Sequence, residues 1–284
     1  MRRAHFENLD AWLTAAETPG PAGRSESSRD NSASERWDFS AGFAGAVALA
    51  RQGWPEGLAR VDAIRAEVSQ HVMRELCRPG WAFDVAGAVP DVGRYLAGEP
   101  ENMLAPAEEP APARVVRLVV NVAASCNVDA KVLFARGAAA CALVDAFEAT
   151  GCRVEVVAVV AVAGHSNGKD CTADSVTLKL ADQPADRDRL AFALCHPGFM
   201  RRLWFAVAES TYNDNDWQFY ALSRCYGYPA DPPASERGDV YLPAAKGWED
   251  AWSTPEKAAA WILKQLQAQG IEIMHPNQNE KAAA

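Results

Sequence analysis

Two short polar segments contain the side chains whose types and spacing could support chemistry. The candidates are Asn121, Ser125, Cys126 and Asn127 in the first segment and His165, Ser166 and Asp170 in the second. Each segment directly follows a long apolar run. The thiol and imidazole could act as a nucleophile and its base, and the amides, hydroxyls and carboxylate could bind a polar ligand.

Cys126 and His165 are the candidate catalytic pair. A helix that starts near Asn127 would place its positive end beside the thiol and favour the thiolate. Neither an oxyanion hole nor a third, orienting group is recognisable, and a cysteine among alanines and valines is commonly a small buried hydrophobe. A simpler interpretation is that Ser125 and Asn127 cap the following helix. Both interpretations stay open.

A predicted β-α-β unit would position these segments. Residues Val115 to Val122 and Cys152 to Gly164 form two β-branched, apolar runs, which is typical of strands covered on both faces. Between them, Asp129 to Thr150 has helical spacing of apolar residues and is followed by Gly151 at the C-cap. In such sheets ligands bind at the carboxyl ends of parallel strands. We therefore predict binding by Asn121, Ser125, Asn127, Ser166 and Asp170.

The remaining patterns predict an α/β fold with a doubly wound, mostly parallel sheet and a helical N-terminal module. Val176 to Leu180 should run antiparallel to the preceding strand, because the loop between them is too short for a crossover helix. The expected organisation is as follows: an N-terminal helix from Phe6 to Thr18 and a flexible linker (1–36), a helical module (37–104), a Pro-rich spacer (105–113), an α/β domain (114–275) and a tail (276–284).

Composition excludes several classes of function. The 284 residues have a net charge of −9 without a basic stripe, which argues against nucleic-acid binding. No apolar run approaches the roughly 20 residues that span a bilayer, and the start of the chain lacks a signal core, so we expect a cytoplasmic protein without a membrane partner. Seven cysteines without a CxxC pair argue against structural zinc and disulfides. No cofactor is expected.

The order of elements from Arg114 to Met274 resembles a von Willebrand factor A-type domain. That resemblance implies a divalent cation bound by an Asp-x-Ser-x-Ser motif at the end of the first strand. The matching stretch runs from Asn121 to Ser125, with an amide in place of the carboxylate and Ala123 in place of one hydroxyl. Neutral ligands of this kind hold Mg²⁺ or Ca²⁺ weakly, so we expect no metal.

Three segments together resemble an uncharacterised protein family of tailed phages and prophages. They are GWPEG (Gly53 to Gly57), DVGRYLAGEPENM (Asp91 to Met103) and ARGAAACALVDAFEATGCRVEV (Ala135 to Val156). The resemblance implies a phage or mobile-element origin and an intracellular location. It implies no reaction.

Other polar groups have structural interpretations. Tyr212 to Tyr220 lacks the glycine and the glutamate that an EF-hand loop requires, so a solvated loop is expected. Arg94 should form an ion pair with Glu99 or Glu101.

We therefore expect a binding or assembly protein that acts on a phage or host protein. The alternatives are a hydrolase or transferase using Cys126 and His165, and a nucleic-acid-handling accessory factor. A large exposed apolar patch would favour the binding protein, whereas clustering of Ser125, Cys126 and His165 would favour the enzyme.

Overall fold

The structure is a computed structural model that describes residues 3–21, 28–30, 39–76, 79–108, 115–149, 151–164, 171–212, 228–247 and 252–269. The strands are β1 Arg3–Phe6, β2 Pro79–Asp84, β3 Val89–Pro90, β4 Met103–Glu108, β5 Val115–Asn121, β6 Arg153–Ala163, β7 Cys171–Lys179, β8 Tyr228–Pro229 and β9 Val240–Leu242. The helices are α1 Leu9–Glu17, α2 Gly42–Gln52, α3 Pro55–Leu76, α4 Val92–Leu96, α5 Ala130–Ala149, α6 Arg187–Cys195, α7 Phe205–Thr211 and α8 Pro255–Ala268. A π-helical segment, Phe199–Trp204, leads into α7.

The central sheet has the strand order β1-β7-β6-β5-β9, and β8 pairs with β6. The β5–β6, β5–β9 and β1–β7 pairs are parallel, whereas β6–β7 is antiparallel. The strand order reverses at β5, because β6 and β9 lie on opposite sides of it. These findings confirm the predicted β5-α5-β6 unit and the α/β fold class, a Rossmann-like architecture consistent with double winding.

Helix α5 is apolar around its whole circumference because it is enclosed by the sheet and by other helices. Every residue from Leu133 to Val144 is buried, and Val144 is only 1% exposed. On its outer side α5 packs against α3 and α6. The contact with α6 is close: a Cβ atom added to Gly137 would lie 2.4 Å from the carbonyl oxygen of Leu194. Gly137 therefore permits the two helices to approach each other.

The two faces of the central sheet pack differently. Leu118, Val120 and Val156 point into the main core, which also contains the buried residues of the helices. Val119, Val157 and Tyr241 point to the opposite face and belong to a smaller core. Successive residues of a strand face opposite sides, so the Val-rich runs of β5 and β6 supply both cores.

The N-terminal segment differs from the prediction. A helix from Phe6 was expected, but Arg3–Phe6 is strand β1, which pairs in parallel with β7. Helix α1 begins at Leu9, where the side chain of Asn8 accepts a 2.9 Å hydrogen bond from the Ala11 N–H. Trp12 stacks on Phe199, with ring centroids 5.5 Å apart, and this contact anchors α1.

Part of the predicted flexible linker is packed. Ser28 is buried, and its N–H donates to Oε1 of Glu209 at 3.0 Å. Arg202 Nη1 donates to the carbonyl oxygen of Ser28 at 2.9 Å. The buried carboxylate and guanidinium need partners, and these backbone groups provide them. Residues 22–27 and 31–38 lie outside the described residues.

Helices α2 and α3 pack on α6 and α5, and their buried residues Ala46, Val47, Val61 and Val68 belong to the main core. The break between them is at Gly53, which has φ +85° and ends α2. Helix α3 begins at Pro55, a residue type that is favoured at the first position of a helix. The division into a module of residues 37–104 and a domain of residues 114–275 stays a prediction, and the tail 276–284 lies outside the described residues.

Candidate functional site

Asn121, predicted as a ligand-binding residue, is fully buried and bonds to the protein itself. Its Nδ2 donates to the carbonyl oxygen of Ala230 at 2.7 Å and to the hydroxyl of Tyr241 at 3.0 Å. Its Oδ1 accepts from the N–H of Ala123 at 3.1 Å and of Ala161 at 3.3 Å. These four bonds occupy both ends of the amide. Asn121 therefore joins the ends of neighbouring strands, and its predicted role in ligand binding stays a prediction.

Tyr241 extends this network towards the surface. Its hydroxyl donates to Oδ1 of Asp231 at 2.9 Å, and the other carboxylate oxygen lies 3.2 Å from Lys246 Nζ. Burial raises the pKa of Tyr241 well above its ordinary value, although the hydrogen bond from Asn121 opposes that shift. The phenol therefore stays protonated at neutral pH.

Hydrogen bonds join the loops that follow β5 and β9 at the switch point. The loops after β5 and β9 form a parallel bridge between Ala124 and Ala245, and the Ser125 N–H donates to the Ala245 carbonyl at 3.0 Å. The Ser125 hydroxyl donates to the Lys246 carbonyl oxygen at 3.3 Å. Below them, the buried guanidinium of Arg136 donates to the carbonyl oxygens of Asn121 and Leu242. These hydrogen bonds lie at the edge of the sheet where open α/β sheets bind ligands.

Cys126 and Asn127, in the loop after β5, are exposed. Among the described residues, neither the Ser125 nor the Asn127 side chain caps helix α5. Asp129 precedes α5 directly, and its Oδ1 accepts from the Lys131 N–H at 2.8 Å. His165, Ser166 and Asp170 lie outside the described residues, so a pair formed by Cys126 and His165 stays a prediction. Most of the Tyr212 to Tyr220 segment also lies outside them.

In the part of the chain that the structure describes, no three His, Cys, Asp or Glu side chains are grouped so that they could hold a metal ion. No described helix is both long and apolar enough to cross a membrane.

A second site, which we call the small sheet, comprises residues 79–108. Its strands have the order β2-β4-β3, with both pairs antiparallel. Helix α4 lies between β3 and β4 in the chain. Not one residue from 81 to 106 is buried. A small sheet in water is stable when one apolar face packs against another part of the protein. Among the described residues, no other element covers a face of this sheet.

The exposed side chains of the small sheet are largely apolar. In the antiparallel register Trp81, Phe83 and Val89 share one face with Leu104, and we call these four residues the apolar face. Trp81 is 55% exposed, and on α4 the side chain of Leu96 is 78% exposed. The other large exposed apolar residues from 81 to 96 are Val85, Val92 and Tyr95. Large, clustered apolar exposure of this kind marks interaction sites.

Polar groups surround this apolar surface. The guanidinium of Arg94 lies 3.9 Å from the Phe83 ring centroid and forms the predicted ion pair with Glu99 at 2.5 Å. Arg94 is the single basic residue from 79 to 108, whereas Asp84, Asp91, Glu99, Glu101 and Glu108 are acidic, giving a formal net charge of −4. The rim is therefore negative.

The sequence analysis did not predict the small sheet. Strand β4 spans Met103–Glu108 and therefore overlaps the predicted Pro-rich spacer of residues 105–113. Proline usually argues against an inner strand, but β3 pairs only with Met103 and Leu104, so Pro106 has a neighbouring strand on one side alone.

A family model described as a domain of unknown function (DUF7192) matches residues 1–273 of the chain. Searches of curated proteins and of solved structures gave no match.

Proposed function

We propose that this chain, which belongs to the DUF7192 family, is a binding or assembly protein that docks a protein partner on the small sheet. One observation carries the proposal: residues 81–106 include no buried residue, yet they display a cluster of large apolar side chains. A partner that covers the apolar face would supply the burial that this sheet does not find in its own described chain.

The aromatic residues of the small sheet would contribute most of the binding energy. Fully burying a large apolar side chain contributes about 1.5–3 kcal/mol, and aromatic residues at the centre of an interface contribute most of its binding energy. Trp81 and Phe83 lie next to each other on the apolar face, with Arg94 stacked on Phe83. An aromatic centre with an arginine and a charged rim is the usual composition of a protein interface.

The partner is a protein rather than a nucleic acid. The small sheet has a formal net charge of −4, so it would repel phosphates. This charge leaves the nucleic-acid alternative without support at this surface. The hydrolase or transferase alternative depends on His165, which lies outside the described residues.

The proposed setting is the cytoplasm of a bacterial host, and the proposed partner is a phage or host protein. The support for this setting is the resemblance of the GWPEG, DVGRYLAGEPENM and ARGAAACALVDAFEATGCRVEV segments to a phage and prophage family. The likeness to an A-type domain also belongs to the proposal, and it rests on the order of elements.

The test compares two sets of surface substitutions. The first variant replaces Trp81, Tyr95 and Leu96 with serine, and the control replaces Val115 and Leu180, which are exposed apolar residues outside the small sheet. Partners are captured from host cells with the tagged wild type, identified, purified and titrated against each variant. We expect the first variant to bind at least ten-fold more weakly and the control to bind like the wild type. Equal affinity of all three proteins, with unchanged thermal unfolding, would refute the proposal.

A further inference from the structure

We infer that a cavity on the face of the central sheet opposite the main core binds a small organic anion with an apolar body. The cavity has a volume of about 350 Å³. It extends across β1, β7, β6 and β5, and residues 235–238 form one of its walls. Ligand sites of proteins commonly measure roughly 300–1,000 Å³, so one small molecule fits. This inference is independent of the small sheet.

The floor of the cavity is apolar. Val119, Val157, Val159 and Ala173 line it, and each is at most 4% exposed. These side chains come from three adjacent strands and form a continuous surface. Little of this floor is in contact with water, so an apolar ligand body would gain mainly van der Waals packing against it.

Two arginines provide positive charge at the cavity. Arg3 Nε lies 3.1 Å from Oε1 of Glu236, and Arg117 Nε lies 3.4 Å from Oε2 of Glu155. Both carboxylates thus engage the Nε side of a guanidinium. Among the described residues the terminal Nη groups of both arginines have no partner. A planar guanidinium uses those groups to bind a carboxylate or phosphate through two hydrogen bonds.

Further polar groups complete the lining. The imidazole of His5 is held between two hydroxyls, with Nδ1 3.0 Å from Ser175 Oγ and Nε2 3.4 Å from Thr177 Oγ1. Ser175 and Ser235 both line the cavity and offer further hydrogen bonds. Each arginine is opposed by one carboxylate, Arg3 by Glu236 and Arg117 by Glu155, so the four charges balance. This balance favours a ligand with a single anionic group over one with several.

The test uses phenylacetate and phenyl phosphate as probes and 2-phenylethanol as their neutral counterpart. Binding to the full chain is measured by saturation-transfer NMR and calorimetric titration at pH 7. We expect saturable binding of at least one anion and binding of 2-phenylethanol at least ten-fold weaker. The comparison of the two anions shows whether a carboxylate or a phosphate is the preferred group.

Two variants locate the binding. The Arg3→Gln/Arg117→Gln variant should weaken anion binding at least ten-fold. The control is Arg51→Gln/Arg187→Gln, because these exposed arginines also each pair with one carboxylate, at 2.6 Å, away from the cavity. It should bind like the wild type. Ala173→Leu, which fills the floor without changing charge, should also abolish binding. The inference is overturned if neither anion binds saturably, if 2-phenylethanol binds equally well, or if both cavity variants retain wild-type affinity.

Discussion

Replacing Asn121 with alanine tests whether its hydrogen bonds stabilise the edge of the sheet. The substitution removes two donors and one acceptor from a site without solvent access. The N–H groups of Ala123 and Ala161 and the carbonyl oxygen of Ala230 would lose these bonds. Tyr241 would keep its bond to Asp231. Three backbone groups are therefore left with one hydrogen bond fewer.

Each buried polar group that loses its partner costs about 1–3 kcal/mol. Three such groups give a loss of roughly 3 kcal/mol at the lower limit and more if no water enters, compared with about 5–15 kcal/mol for the total stability of a domain. Asn121→Asp should be at least as destabilising, because a carboxylate cannot donate to the Ala230 carbonyl oxygen, which lies 2.7 Å from Nδ2. Restoring the acidic residue of the A-type motif would therefore weaken the fold rather than create a metal site.

The assay is urea unfolding of the wild type, Asn121→Ala and Asn127→Ala, followed by tryptophan fluorescence. Asn127 is exposed, so its replacement should change the free energy of unfolding by no more than about 0.5 kcal/mol. An Asn121→Ala protein that unfolds within about 0.5 kcal/mol of the wild type would show that these bonds do not stabilise the sheet edge.

Three further predictions concern α5, its packing and a buried thiol. Val144→Asp should abolish soluble folding, because it buries an unpaired carboxylate at a cost of several kcal/mol; a soluble protein that melts cooperatively would contradict this. Gly137→Ala should lower the free energy of unfolding by about 1–3 kcal/mol through overpacking against α6, whereas Gly247→Ala, with open space around it, should be near neutral in the same urea assay. Burial raises the pKa of Cys171 to about 11, so its alkylation rate should still increase about ten-fold per pH unit between pH 8 and 10. Mass spectrometry follows the rate, and a rate that levels off between pH 9 and 10 would refute the shift.

The β5-α5-β6 unit was predictable because its signals are local. Each strand is a continuous apolar run, and the helix has its own spacing and a glycine at its end. The role of Asn121 was not predictable from such signals. Its partners Ala230 and Tyr241 are more than 100 residues away, so the sequence shows a polar residue at a strand end without showing what satisfies it.

The small sheet and β1 were missed for the same reason. The pattern of residues 3–6 is compatible with the first turn of a helix, and only the pairing with β7 makes it a strand. In the small sheet, Pro106 concealed β4, and the pairing of β4 with β2 is not visible in either segment alone. The exposed apolar side chains are also invisible from sequence, because an apolar residue in a strand is ordinarily expected inside.

Strands β1 and β7 pair with each other, although they leave the ribosome at very different times. His5 and Ser175 are cross-strand neighbours 170 residues apart. At a translation rate of about 5–20 residues per second, β1 leaves the ribosome roughly 10–30 s before β7. The strand that covers this side of the sheet is thus already present when β7 is synthesised. An exposed strand edge invites pairing with other chains, and a growing chain that carries its own edge strand in advance shortens the time during which β7 can pair with a neighbour on the same polysome.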